Sequence, residues 1–202
     1  MMRGWRAWAG AMLLAGAVPL QAQQFVSDSY SFLKAVRDRD GTKATELLDK
    51  PATTIIQGRD SNTGETALHI VTRRRDLTWM NFMLGKGADI NARDRDGMTA
   101  LAIAAQLGWA EGVQDLLTYG ANVDLPNNQG ETPLILATEA HSLPVVRALI
   151  TQGADPRIAD HVAGLSAIDY ATRDPRSAVI LKVLQEAKPK TKKAVAGPGI
   201  NG

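Results

Sequence analysis

The chain has 202 residues, room for one domain of ordinary size with tails, and its 45% hydrophobic content is enough to bury a core. There is no cysteine, so disulfide frameworks, thiolate zinc sites and cysteine nucleophiles are excluded. Of the 23 basic residues, Arg3, Arg6, Lys188, Lys190, Lys192 and Lys193 lie in terminal segments without acids; 17 remain against 21 acidic residues, an acidic body that argues against nucleic-acid binding.

The first segment, residues 1–22, reads as a secretory signal peptide. Arg3 and Arg6 supply a positive start, Ala7 to Val18 form an apolar run, and Pro19 breaks it ahead of Leu20-Gln21-Ala22. The run falls short of the roughly 20 apolar residues that a spanning helix needs. Cleavage near Ala22, with the mature protein periplasmic or secreted, is the expectation. The short apolar region and Ala-rich end are bacterial in style.

Residues 23–58 read as a linker and a divergent opening unit. Leu33, Val36, Leu47 and Leu48 face inward, while Lys34, Arg37, Asp38, Arg39 and Asp40 face solvent. Residues 51–60 run about three residues longer than later connections, and Thr53-Thr54-Ile55-Ile56 suggests an extended hairpin finger there.

From residue 60 onward the chain is dominated by internal repetition. Gly64-Glu65-Thr66-Ala67-Leu68-His69 returns as Gly97-Met98-Thr99-Ala100-Leu101-Ala102, as Gly130-Glu131-Thr132-Pro133-Leu134-Ile135 and, weakly, as Gly164-Leu165-Ser166-Ala167-Ile168-Asp169. Gly87-Ala88-Asp89, Gly120-Ala121-Asn122 and Gly153-Ala154-Asp155 repeat in the same register. Two motifs with one period predict stacked units at about 60–92, 93–125 and 126–158, closed by a capping unit at 159–187. Each position has a physical role. The first glycine suits a turn, Thr66, Thr99 and Thr132 can cap a helix, and Pro133 fits a first helical turn. Leu68/Ile70, Leu101/Ile103/Ala104 and Leu134/Leu136/Ala137 then turn inward. Second helices carry Met80/Met83/Leu84, Val113/Leu116/Leu117 and Val145/Val146/Leu149/Ile150 at helical spacing, and the later glycines end them. Asp160 reads as a one-residue insertion before the last unit. The helix Ala178 to Leu184 is apolar enough to suggest a contact or self-association surface.

These motifs resemble the ankyrin family, over about residues 28–187. The resemblance implies an all-α repeat solenoid of helix-turn-helix units joined by β-turn or hairpin loops, of bacterial exported type. It implies a non-enzymatic protein-protein interaction scaffold that binds through turn tips and a concave first-helix face. By position, the tips are Asn62, Thr63, Arg95, Asp96, Asn128 and Gln129, and the first-helix ends are Arg73, Arg74, Gln106, Leu107, Trp109, Glu139 and His141. Trp109 is expected to be exposed, either as a binding anchor or as cover for a neighbouring helix turn. Arg73-Arg74-Arg75 is either a solvated face or a patch for an acidic partner. The resemblance also places His69 as a brace of the turn.

No catalytic constellation, cofactor site or metal site is expected. Three scattered histidines do not make a zinc site, and Asp94-Arg95-Asp96-Gly97 lacks the remaining ligands of a calcium loop. Residues 188–202 read as a disordered basic tail, capable of weak, salt-sensitive contact with a membrane or cell wall. The expected assembly is a monomer with one protein partner of unknown identity. A secreted effector or inhibitor acting on a host or foreign protein is the alternative.

Overall fold

The computed structural model describes residues 20–50 and 54–187 of the chain, with side chains from residue 28 onward. Residues 1–19 of the expected leader, Thr53 and the basic tail lie outside the described residues.

Helices account for every regular element among the described residues. They are α1 (Leu20–Asp38), α2 (Gly41–Leu48), α3 (Ala67–Arg73), α4 (Leu77–Gly85), α5 (Ala100–Gln106), α6 (Ala110–Thr118), α7 (Pro133–Glu139), α8 (Leu143–Thr151), α9 (Ala167–Arg173) and α10 (Ala178–Glu186), with short 3-10 turns at Ile55–Gln57 and Pro175–Ser177. Leu20 to Ala22 form the first turn of α1. The first helices pack in one row, α1–α3–α5–α7–α9, and α4, α6, α8 and α10 pack in a second row behind them. This is the all-α stack of paired helices that the repeat implies.

Local chemistry explains each unit. Thr99 Oγ1 accepts the Ala102 amide at 3.1 Å, and Thr132 Oγ1 accepts the Ile135 amide at 3.3 Å. These bonds satisfy otherwise orphaned donors of a helix start. Thr66 shares its cap with His69, whose Nδ1 accepts the Thr66 amide at 3.2 Å. The His69 Nε2–H donates to the Met98 carbonyl at 2.9 Å, tying the unit to its neighbour. Burial lowers the imidazole pKa and favours this neutral ring.

Between the helices of a pair the chain must turn sharply, and one residue takes the left-handed conformation. It is Arg39 (φ 60°), Arg75 (φ 52°), Gly108 (φ 62°) and His141 (φ 52°) in successive pairs. Asp40 and Asp76 follow it and cap the second helices.

Small side chains set the spacing of the first row. Ala100 to Ala105 are all buried in α5, where four alanines let α3 and α7 approach from both sides. Met80, Met83, Val113, Leu116, Val145, Val146 and Leu149 fill the space between the rows.

Two local expectations need correction. The segment after residue 53 is not a finger: Ile55–Gln57 form a 3-10 turn and Ile55 is buried. Its apolar side chain gains more from the core under α1 than from an exposed hairpin. Nor is Asp160 itself an insertion. Its N–H bonds the Leu165 carbonyl as that of Asp94 bonds Met98 and that of Asn127 bonds Glu131. The extra residue lies in the tip, between Asp160 and Gly164.

Candidate protein-binding face

Each turn is organised by an acid or amide that stands outside the two repeated motifs. Asp60 accepts the amides of Asn62 and Thr63, Asp94 those of Asp96 and Met98, Asn127 those of Gln129 and Glu131, and Asp160 those of Val162, Ala163 and Leu165. Such side chains mimic a backbone turn and fix the tip. The amides of Asn62 and Thr63, with the Arg37 guanidinium, bring the Asp60 carboxyl down to about 2. Spacing carries the signal for these residues, since 94, 127 and 160 step by 33 in register with Gly87, Gly120 and Gly153.

Neighbouring tips are stitched by backbone bonds: Arg95 N–H to Thr63 O, Asn128 N–H to Asp96 O and His161 N–H to Gln129 O. The tips therefore form a continuous edge, on which Asn62, Thr63, Arg95, Asp96, Asn128 and Gln129 are all exposed.

Five of the residues singled out by position meet in one place. Arg73, Asp96, Gln106, Asn128 and Gln129 line a groove of about 290 Å³ with Met98, Asn127 and Glu131. Two tips and two first-helix ends contribute, and most of the lining is polar and carries hydrogen-bonding groups. Asn62 lies apart, in a groove with Tyr30, Leu33 and Arg37. Tyr30 is 66% exposed, an aromatic on this face that repeat spacing alone does not reveal.

The arginine run does not form one patch. Arg73 Nε donates to Glu65 at 2.7 Å and its Nη2 to Asp94 at 3.2 Å. Arg74 is half-buried: its Nη1 donates to the Val36 carbonyl at 2.6 Å, and its guanidinium lies 5.7 Å from the Trp79 ring centre. Arg74 thus acts as a strut that ties the end of α1 to the next unit. Arg75 donates to the Leu107 carbonyl of the following unit. Three consecutive side chains leave a tight turn in three directions and find separate partners.

Trp109 also calls for correction. It is 8% exposed, not an open anchor, because its ring folds back over Gly112 in α6. It covers a helix turn, one of the two readings open from the sequence. Leu107 beside it is half-buried.

Glu139 and His141 lie in a separate groove of about 430 Å³, with Tyr170, Arg173, Asp174 and Ser177. His141 Nδ1 is 3.1 Å from Ser177 Oγ, and its Nε2 is 3.3 Å from Asp174. This has the residue types of a hydrolytic triad without its working geometry. Ser177 is 1% exposed at the head of α10, and a nucleophile there cannot reach a substrate. The Asp174 carboxyl is held at about 2, first by hydrogen bonds from Arg176. Burial, then the Glu131 and Asp160 carboxylates, raise the pKa of Glu139. Burial and a hydrogen bond to Asp160 push the Tyr170 phenol up to about 12.

A family model described as "Ankyrin repeats (3 copies)" matches residues 32–127, 68–160 and 110–193. A comparison with curated proteins finds no match.

Proposed function

The chain belongs to the ankyrin-repeat family, and on that premise we propose that it is an exported scaffold that holds a protein partner against its turn tips and first helices. The family's repeats are non-enzymatic modules for protein–protein interaction. The finer reading rests on one observation: Arg73, Asp96, Gln106, Asn128 and Gln129, from three successive units, converge on a single polar groove. Equivalent framework positions recur from unit to unit, but these do not. Position 73 is Arg, 106 is Gln and 139 is Glu at the same helical register. A repeated frame with a non-repeated face suits recognition of one partner. Export is supported by the basic start, short apolar run and small-residue exit of residues 1–22.

Crosslinking in intact cells followed by mass spectrometry tests both parts. One defined partner should be recovered, its crosslinks falling near the tips. Gln106→Ala combined with Gln129→Ala should reduce recovery while leaving the fold intact. Undiminished recovery would move the binding face elsewhere. A chain found only in the cytoplasm, with its first 22 residues attached, would overturn export.

A further inference from the structure

We propose that the edge formed by the first two turns takes an acidic segment of the partner, held by Arg59, Arg93 and Arg95. This rests on the reading of the tip face as the binding face and names the chemistry of what binds there.

Arg59 and Arg93 occupy the same register, one residue before Asp60 and Asp94. Their hydrogen bonds follow the same plan. Arg59 Nη1 donates to the Gly64 carbonyl of its own turn at 3.2 Å and to the Arg93 carbonyl of the next at 2.6 Å. Arg93 Nε donates to the Gly97 carbonyl at 3.2 Å, and its Nη2 to Asn128 Oδ1 at 3.2 Å. Arg95 reaches the other way across the first seam, to the Ser61 carbonyl. The turn glycines make room for this. A Cβ on Gly97 would stand 2.5 Å from the Arg93 Nη2, and one on Gly64 would stand 3.2 Å from the Arg95 Cγ.

The acceptors are all neutral. Among the described residues none of these three guanidiniums pairs with a carboxylate, whereas Arg37 pairs with Asp60 and Arg73 with Glu65 and Asp94. All three are exposed. Each spends part of its five-donor fork on holding its position and leaves the rest facing solvent, which preorganises it for a carboxylate. The later turns lack the feature: the register of Arg59 and Arg93 holds Pro126 and Ala159, and that of Arg95 holds Asn128 and His161. Further along, the face changes sign at Glu131 and Glu139. The acidic segment is therefore confined to the first two turns. A nucleic acid fits less well, because a uniform row of phosphates would also meet Asp96 and then the acidic end of the face.

Fluorescence anisotropy with the full chain tests this. The probe is a labelled eight-residue peptide of alternating Glu and Gly, compared with its Gln counterpart and with a short DNA duplex. The Glu peptide should bind and the Gln peptide should not. The triple variant Arg59→Gln, Arg93→Gln, Arg95→Gln should weaken binding roughly tenfold, since exposed charge pairs contribute up to a few-fold each. A control with equal charge loss, Arg147→Gln, Arg157→Gln and Lys182→Gln, should change it less than about twofold. No binding, equal losses in both triples, or tighter binding of the duplex would overturn the proposal. If the triple variant fails to melt cooperatively, Arg95→Gln alone answers the question, with a loss of about twofold expected and no change overturning it. If the variant still captures the crosslinked partner in full, the acidic-segment assignment fails while the tip-face reading stands.

Discussion

The indole of Trp109 lies so close over Gly112 that a Cβ at position 112 would stand 2.2 Å from the ring carbon Cε3. Trp109 sits where other units carry Asp76 and Ser142; Asp76 caps its helix with its side chain, whereas Trp109, like Ser142, makes no side-chain capping bond. Its contribution is apolar cover, and the missing side chain of Gly112 makes that cover fit. A glycine-to-alanine change within a helix ordinarily gains up to about 1 kcal/mol. Gly112→Ala should instead lose about 2 kcal/mol, because the ring must be displaced. Trp109→Ala alone should lose about 3 kcal/mol. In that background Gly112→Ala should become neutral or stabilising. Urea unfolding of the four proteins gives the coupling directly, and additive losses would show that the ring and the glycine do not constrain each other.

This pair also marks the limit of what repeat spacing reveals. The framework is legible because each recurring residue answers a local need: a glycine where φ is positive, a hydroxyl at a helix start, leucine on an inward face. Trp109 reads as exposed because its equivalents, Asp76 and Ser142, are polar, and register cannot show that Gly112 opens a slot three residues later. The arginines mislead for a related reason. Arg73, Arg74 and Arg75 are adjacent in sequence but diverge at a turn, whereas Arg59 and Arg93 are far apart in sequence and converge through the stacking of turns. Ile55 misleads because apolar β-branched composition does not distinguish a strand from a buried turn.

The left-handed turn position offers a test in which like backbone gives unlike outcomes. Arg75 and His141 both sit at φ 52°. Replacing either with glycine should relieve strain worth about 1 kcal/mol. Arg75→Gly gives up one exposed hydrogen bond to Leu107, so a net gain of a few tenths of a kcal/mol is expected. His141→Gly also releases Ser177 and Asp174, which fasten the end of α7 to the start of α10. It should show no gain or a loss of up to about 1 kcal/mol. Thermal unfolding of the two variants should separate them in that order.

His69 gives the fold a pH dependence of known sign. Burial lowers its folded pKa below the ordinary 6.5, so the unfolded chain takes up a proton first as pH falls. The stabilisation is complete above about pH 6.5 and declines below it, toward the folded value. The Asp60 and Asp174 carboxyls, both lowered to about 2, act in another window. Their contribution is present above the unfolded value near 3.8 and is lost as pH falls toward 2. Melting temperatures at pH 7.5 and pH 5.5 should therefore differ more for the native chain than for His69→Gln. Equal differences would mean that His69 does not carry the change.

Glu139 should show the reverse sign, at a site where charge and shape can be separated. Its carboxyl faces the groove between α7 and α9, and its pKa is raised from 4.5 first by burial and then by Glu131 and Asp160. The folded state thus favours the protonated form, and the ionised carboxylate opposes folding increasingly as pH rises above 4.5. Glu139→Gln keeps the size and a polar end but removes the charge. It should raise the melting temperature at pH 7 by a degree or so, a small effect because the side chain remains partly solvated. At pH 4, where Glu139 is already largely protonated, the same substitution should change little. A gain of equal size at both pH values would trace the effect to packing. A loss at pH 7 would mean that the carboxylate has a favourable partner in the folded chain, and the electrostatic account of the groove would be wrong.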